Sequence, residues 1–202
     1  MNRLTIRKKM SSILETPAAL LLIKLGLSPN KITVLGLIIA VFSAYLISVG
    51  QLAFGGIALL VSGIFDILDG AVARLSDKET KYGAFLDSVT DRISESVILL
   101  GLLIFFLDTS STWGAVLTYT AVVGSIGVSY VRARAEGLGI ECKIGIMTRP
   151  ERVATLVIGL IITPSWIWSI YISLILISSL NIFTFVQRIL EVKRSLDGKK
   201  IN

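Results

Sequence analysis

Long apolar runs, broken by short polar stretches at nearly regular intervals, dominate the chain. A helix needs roughly 20 mainly apolar residues to cross a membrane. Six such segments are legible, at about 32–50, 52–75, 84–107, 112–132, 151–164 and 167–187. The fifth is the weakest, because its apolar stretch from Val153 to Thr163 is short and Pro164 interrupts it. The expected fold is an all-α integral membrane domain with six transmembrane helices. Ahead of the first run, Ile6, Met10, Ile13, Leu14, Leu20 and Leu21 recur at helical spacing, with Arg3, Arg7, Lys8, Lys9 and Glu15 elsewhere. That pattern predicts an amphipathic helix lying in the membrane interface, rather than one packed on a protein core. No repeat, low-complexity tract or linker divides the chain. It reads as a juxtamembrane helix over 1–31, one membrane domain over 32–190 and a basic tail over 191–202.

Charge placement orients these segments. All 20 Lys and Arg fall into four groups, Arg3 to Lys31, Arg74 to Arg92, Arg132 to Arg152 and Arg188 to Lys200. The connections near Gln51, Asp108 and Ser165 carry none. The positive-inside rule makes the basic groups cytoplasmic, which requires an even number of spans with both termini inside. A single span over 151–187 would put the basic tail outside. The expectation is a multi-pass protein of the cell membrane with both termini on the cytoplasmic side.

Composition narrows the chemistry. With 53% hydrophobic residues and a mean hydropathy of +0.80, the chain is too apolar for a soluble domain. The net charge of +6 reads mainly as the positive-inside bias plus affinity for anionic headgroups. No stacking array of aromatics interleaves with the basic residues, so no nucleic-acid partner is expected. Cys142 stands alone, which excludes an internal disulfide. The absence of histidine removes His-based zinc sites and His general bases. Met1 to Lys31 lacks a compact apolar core with a small-residue cleavage site, so no cleavable signal peptide is expected.

Between Asp66 and Asp91 runs DILDGAVARLSDKETKYGAFLDSVTD, in which Asp66, Asp69 and Gly70 interrupt an apolar run. Charged groups at membrane depth mark functional sites by default. Residues three and four apart share a helix face, so Asp66 and Asp69 point one way, as do Asp87 and Asp91. If the two helices are neighbours, four carboxylates converge. Alone they would repel and some would take up protons. Divalent cations resolve this, and hard oxygen ligands without Cys or His suit Mg²⁺, Mn²⁺ or Ca²⁺. Four carboxylates could hold two metals, which suits displacement at phosphorus. Gly70 and Gly83 let a ligand approach the backbone, Ala73 keeps the same face open, and Arg74 offers forked donors suited to a diphosphate. Taken singly, a membrane glycine packs helices, an end-of-span arginine snorkels and an aspartate pair could serve a cation or proton transporter. No competing acidic cluster exists elsewhere, and the acids lie at the cytoplasmic end with a phosphate-type arginine and glycines.

The spacing D-x2-D-G-x2-A-R-x8-G-x3-D-x3-D, from Asp66, resembles the CDP-alcohol phosphotransferases, membrane enzymes of phospholipid synthesis, at every fixed position. The resemblance implies that an alcohol attacks the β-phosphorus of a CDP-linked lipid and releases CMP. It implies that Asp66, Asp69, Asp87 and Asp91 bind two Mg²⁺ or Mn²⁺ ions, and that Asp91 takes the hydroxyl proton. Gly70, Ala73, Arg74, Thr80 and Gly83 would line the nucleotide and diphosphate site. Pro29, Asn30 and Thr33 match the family's Pro-Asn-x-x-Thr stretch and would join it, although Ser28-Pro29-Asn30 alone reads as an ordinary helix start. The family also suggests a homodimer.

The acceptor is written elsewhere. Arg132, Arg134, Arg149 and Arg152 bracket the fourth connection, more basic residues than orientation requires. A basic pocket there would bind an acceptor that carries its own phosphate. Ser129-Tyr130-x-x-Ala133-Arg134-Ala135-Glu136 and Arg149-Pro150-Glu151-Arg152 resemble the phosphatidylinositol-phosphate and archaetidylinositol-phosphate synthases. The resemblance implies CDP-diacylglycerol or CDP-archaeol as donor and inositol 1-phosphate as acceptor. One departure is Arg132, where the bacterial enzymes are expected to carry lysine. Arg132, Arg149 and Arg152 are assigned to the acceptor phosphate. Arg134, two residues from Arg132, cannot share its pocket on a regular helix and is left as a neighbour. Glycerol 3-phosphate or serine as acceptor, CDP-inositol as donor, and a cation- or proton-coupled transporter are the alternatives.

Overall fold

The computed structural model describes residues 15–199. They fold into helices joined by short connections, with no strand among the described residues. In order they are α1 over 15–24, α2 Pro29–Ser48, α3 Leu52–Leu75, α4 Lys81–Asp108, α5 Thr112–Glu136, α6 Arg149–Ile162 and α7 Trp168–Lys199. The residues just before each helix explain where it starts. Pro29 sits in the first turn of α2, where its missing N–H costs nothing. The Thr80 hydroxyl accepts from the Gly83 N–H at 2.9 Å to open α4. Ser111 Oγ accepts from the Gly114 N–H at 3.2 Å to open α5. At α6 the Thr148 N–H donates to Glu151 Oε2 at 3.0 Å, half of a capping box, and Pro150 follows in the first turn.

The helices α2 to α7 form a closed ring. Helix α2 packs along α3 and α4, α3 along α6, α6 along α7, α7 along α5, and α5 along α4. Helices α3 and α4 are consecutive in sequence yet share no extensive seam, and nor do α4 and α6. The seams are of the kind apolar surroundings favour, with small residues and hydroxyl-to-backbone bonds. Ser43 Oγ donates to the Gly55 carbonyl at 2.7 Å and Ser62 Oγ to the Gly36 carbonyl at 2.8 Å, tying α2 to α3. Ser169 and Ser173 of α7 donate to the Gly159 and Thr155 carbonyls of α6, at 2.9 and 3.1 Å. Inside the ring, Ile98, Leu99, Leu102 and Phe106 of α4 meet Leu156 and Leu160 of α6 and Leu174 of α7 in one buried cluster. Outside it, large apolar side chains such as Phe42, Phe54, Leu107 and Ile158 are exposed.

Four helices, α2, α3, α5 and α7, are long and apolar enough to cross a membrane. The other two segments expected to span are helical but fall short for identifiable reasons. Helix α4 carries Lys81, Asp87, Asp91, Arg92 and Glu95 between its start and its midpoint region. Helix α6 has 14 residues, about 21 Å of rise against roughly 30 Å of hydrocarbon. Helix α7 continues through 191–199, the segment read from sequence as a tail.

Most of the expected N-terminal amphipathic pattern, Arg3 to Leu14, lies outside the described residues. Where α1 is described, its buried face is Ala19, with Ala18, Leu22 and Ile23 beside it. These pack against Ile32, Leu68, Ala71 and Val72 of α2 and α3. Leu20 and Leu21, expected to form the apolar stripe, point away from the ring. The end of α3 offers α1 a protein surface, and the small Ala18–Ala19 pair fits it more closely than leucines would.

Helices α2 and α4 approach backbone to backbone at Gly101. A Cβ on Gly101 would collide with the Ala44 carbonyl and lie 3.0 Å from its Cα. Backbone cannot give way as a side-chain tip can, so overpacking here should cost about 1–3 kcal/mol or more. Gly101→Val should therefore lower the melting temperature in detergent and also weaken turnover, although residue 101 is far along α4 from the aspartates. A thermal scan beside an activity assay checks this. A variant with unchanged melting temperature would show that the seam is looser than drawn.

Candidate active site

The end of the ring where α2, α4 and α6 begin and α3 and α5 finish collects the polar residues. Asp66 of α3 and Asp87 and Asp91 of α4 each bring a carboxylate oxygen within 4.8 Å of the others. Helical spacing aligns Asp87 and Asp91 on one face of α4, as their separation of four predicts. Because α3 and α4 share no long seam, the carboxylates meet across the interior rather than being squeezed along a helix contact. Asp69, expected as a fourth member, lies one turn further along α3. It is 5% exposed and its Oδ2 accepts from the Thr33 hydroxyl at 2.5 Å. Thr33, a nucleotide candidate from sequence, thus fixes the orientation of an aspartate.

Arg149 closes the cluster. Its Nη1 lies 2.7 Å from Asp66 Oδ2 and 2.5 Å from Asp91 Oδ1, so one guanidinium spans α3 and α4 from the start of α6. Three carboxylates facing one guanidinium leave negative charge uncompensated if all are ionised. A set of hard oxygen donors at this separation, in a chain without histidine, fits a divalent cation of the Mg²⁺ or Mn²⁺ type. The side chains of Asp66, Asp87 and Asp91 would hold it.

The residues expected to receive the diphosphate fall into two local groups. A Cβ on Gly83 would lie 3.1 Å from Thr80 Oγ1 and 3.4 Å from Asn30 Oδ1, so these three residues adjoin and a side chain at 83 would crowd them. A Cβ on Gly70 would lie 3.2 Å from Arg74 Nη1. Ala73 is half-buried. Arg74 is exposed and 3.7 Å from Glu15 Oε2 of α1. Pro29 sits at the start of the helix that carries Asn30 and Thr33.

The acceptor arginines divide. Arg149 faces the aspartates. Arg132 is exposed and pairs with Glu136 on its own helix at 2.8 Å. Arg134 is exposed. Arg152, expected to meet the acceptor phosphate, is 2% exposed. Its Nε lies 2.5 Å from Glu95 Oε1 and its Nη2 2.7 Å from Glu95 Oε2, a two-pronged buried ion pair. The physical reason is position: one turn after the N-cap Thr148, residue 152 faces the ring interior, where a buried guanidinium needs a carboxylate partner. Of the motif Arg149-Pro150-Glu151-Arg152, the middle two residues start the helix and the outer two supply charge.

Two residues were not singled out from sequence. Glu95 follows Asp91 by four and so shares its face, a signal that was available. Arg188 read only as one of a basic group. In the structure its Nε donates to the Ile144 carbonyl at 2.9 Å and its Nη1 to the Val128 carbonyl at 2.6 Å, fastening the α5–α6 connection to α5 and α7. Cys142 lies buried in that connection, and burial raises its thiol pKa.

Comparison with known proteins agrees with this arrangement. The sequence profile of the CDP-alcohol phosphatidyltransferase family matches residues 26–187. An archaetidylinositol phosphate synthase of Methanothermobacter thermautotrophicus is 36% identical over 178 residues, covering 86% of this chain and 87% of that protein. The crystal structure of a Mycobacterium tuberculosis phosphatidylinositol phosphate synthase with CDP-DAG bound superposes with a TM-score of 0.83 at 32% identity, covering 89% of this chain and 93% of that one. A second crystal structure of that enzyme, in complex with manganese and citrate, gives a TM-score of 0.82. The chain belongs to the CDP-alcohol phosphatidyltransferase family.

Proposed function

We propose that this protein transfers the phosphatidyl or archaetidyl group of a CDP-linked lipid to a hydroxyl of inositol 1-phosphate, releasing CMP. The observation that carries the reading is the meeting of Asp66, Asp87 and Asp91 with Arg149 at one end of the ring. The family match and the inositol-phosphate synthase relatives support it. The acceptor oxygen bonds to the β-phosphorus, the bond from that phosphorus to the bridging oxygen of CMP breaks, and the hydroxyl proton passes to Asp91. A general base must lie within hydrogen-bond reach of its proton, and Asp91 lies beside the arginine that would draw in an anionic acceptor. Arg149 holds the acceptor phosphate, with Arg132 at the rim. Arg152 acts from behind, through its pair with Glu95. Asn30, Thr80, Gly83, Gly70, Ala73 and Arg74 receive the nucleotide and diphosphate, and Pro29 and Thr33 set the geometry of that edge.

Two Mg²⁺ or Mn²⁺ ions held by Asp66, Asp87, Asp91 and Asp69 would neutralise the diphosphate and the charge that develops on it. CDP-diacylglycerol and CDP-archaeol present the same headgroup, so both are donor candidates. The six ring helices all cross the cell membrane, with α6 completed by its flanking connections. Both termini and the active site face the cytoplasm, as the four basic groups require. Helix α1 lies in the interface with Leu20 and Leu21 toward lipid. The protein works as a homodimer.

Purified protein given Mg²⁺, CDP-lipid and labelled inositol 1-phosphate should release CMP and form a phosphorylated inositol lipid. Turnover with glycerol 3-phosphate or serine alone would sink the acceptor. Ion flux into liposomes without any CDP-lipid would favour a transporter instead. Asp91→Asn should lower the rate by at least about a hundredfold while CDP-lipid still binds, as read by equilibrium binding; a near-normal rate would remove Asp91 as base. Treatment with EDTA should abolish activity, and added Mg²⁺ or Mn²⁺ should restore it. Residual activity in excess chelator would count against metal dependence.

A further inference from the structure

Arg149 bridges Asp66 and Asp91 from the first turn of α6, yet α6 has no extensive seam with α4 to hold it in register. A cation at a helix N-terminus also opposes the helix dipole. Helix α6 packs along α3 and α7, and its Leu156 and Leu160 meet α4 side chains in the core. At its start, the contacts that tie it to α4 converge on Arg152. Its Nε and Nη2 grip both oxygens of Glu95 on α4. Its Nη1 reaches the Met147 carbonyl at 3.3 Å, just before the helix. The Met147 N–H donates to Thr184 Oγ1 of α7 at 3.1 Å.

The outcome is a two-rung ladder. Helix α4 presents Asp91 and Glu95 four apart, and α6 presents Arg149 and Arg152 three apart, so each pair shares a face. The outer rung, Asp91 with Arg149, borders the site. The inner rung, Glu95 with Arg152, is buried, with Glu95 at 9% and Arg152 at 2% exposure. Glu95 of the inner rung and Arg149 of the outer one both line a small cavity, with Leu59, Ser62, Ser94 and Leu156 among its other walls. Buried ion pairs add little net stability against apolar replacements, and their best-attested use is to specify register.

We infer that Glu95 is a positioning residue of this enzyme: through its buried pair with Arg152 it sets the register of α6 against α4 and so holds Arg149 on Asp66 and Asp91. This deepens the proposed function, because Arg149 is the residue assigned there to the acceptor phosphate. The pair does nothing to the reacting atoms. It decides whether the arginine stands beside them.

The test is a double-variant cycle read by Mn²⁺ binding, followed by electron paramagnetic resonance, which requires no acceptor. Arg149 places positive charge against the carboxylates, so Arg149→Gln should tighten Mn²⁺ binding by about tenfold. If Glu95 acts through Arg149, Glu95→Gln tightens it in the same direction, and Glu95→Gln/Arg149→Gln binds no more tightly than Arg149→Gln alone. Glu95→Asp, which keeps the charge, should return the affinity toward that of the parent. Glu95→Leu/Arg152→Met replaces the pair with apolar side chains and keeps the fold if Glu95→Gln does not. It should show the same Mn²⁺ shift. In turnover assays Glu95→Gln should raise the acceptor KM about tenfold or more and leave the donor KM nearly unchanged. The inference is overturned if Glu95→Gln leaves Mn²⁺ affinity unchanged, if the two effects simply multiply, or if Glu95→Gln lowers the acceptor KM because the freed Arg152 binds phosphate itself. Failure of the parent protein to use inositol 1-phosphate would count against the proposed acceptor alone, since the Mn²⁺ cycle stands without it.

Discussion

The contact of Arg149 with Asp66 and Asp91 is the constraint on which the rest of this end of the molecule depends. Two carboxylates about 4 Å apart repel by about 4 kcal/mol at the effective dielectric of a protein near its surface. Helices α3 and α4 bring three together, and no long seam between those two helices absorbs the strain. A guanidinium at the start of α6 makes the approach tolerable. The same carboxylates compensate the poor fit of a cation to a helix N-terminus. Three helices thus stand in mutually dependent positions because of one side chain.

The ring geometry follows a division of labour between apolar packing and polar bridging. Where helices touch along their length, glycine, alanine and serine set the spacing, as at Gly101 against Ala44 and Ser62 against Gly36. Where they stand apart, long charged side chains cross the gap. A site that must admit a diphosphate cannot be filled with leucine, and bridging with arginine and carboxylates keeps it both open and braced.

Sequence alone conveyed much of this, unevenly. The six long segments were legible because hydrocarbon imposes length and apolarity. All six are helices, four of them long and apolar enough to cross a membrane, with boundaries close to those expected except that α7 runs on to Lys199. The aspartate pairs were legible because fixed helical spacing decides which residues share a face. What escaped was whatever depends on the partner element. No periodicity says that α3 and α4 face each other without packing, or that Asp69 is turned toward Thr33 while the other three carboxylates converge. Arg152 looked like Arg149 in the sequence, three residues away in the same basic motif. Only the position of Glu95 across the ring tells them apart. Helix α1 adds a face that no periodicity announced: Ala18 and Ala19 pack on the surface offered by α3, opposite the exposed Leu20 and Leu21.

The order in which the chain visits the site carries a consequence for how such a protein can change. Every residue proposed for the CDP-lipid lies between Pro29 and Asp91, on helices stitched together by their own seams. Every arginine proposed for the acceptor lies beyond residue 130, on α5 and α6, which pack along α4 and α3 and add ion pairs at the site. Substitutions in the later half could therefore retune which alcohol is used without rebuilding the half that handles the nucleotide. The fold separates an invariant task from an adjustable one along the length of a single polypeptide, so a new specificity could arise from few and local changes.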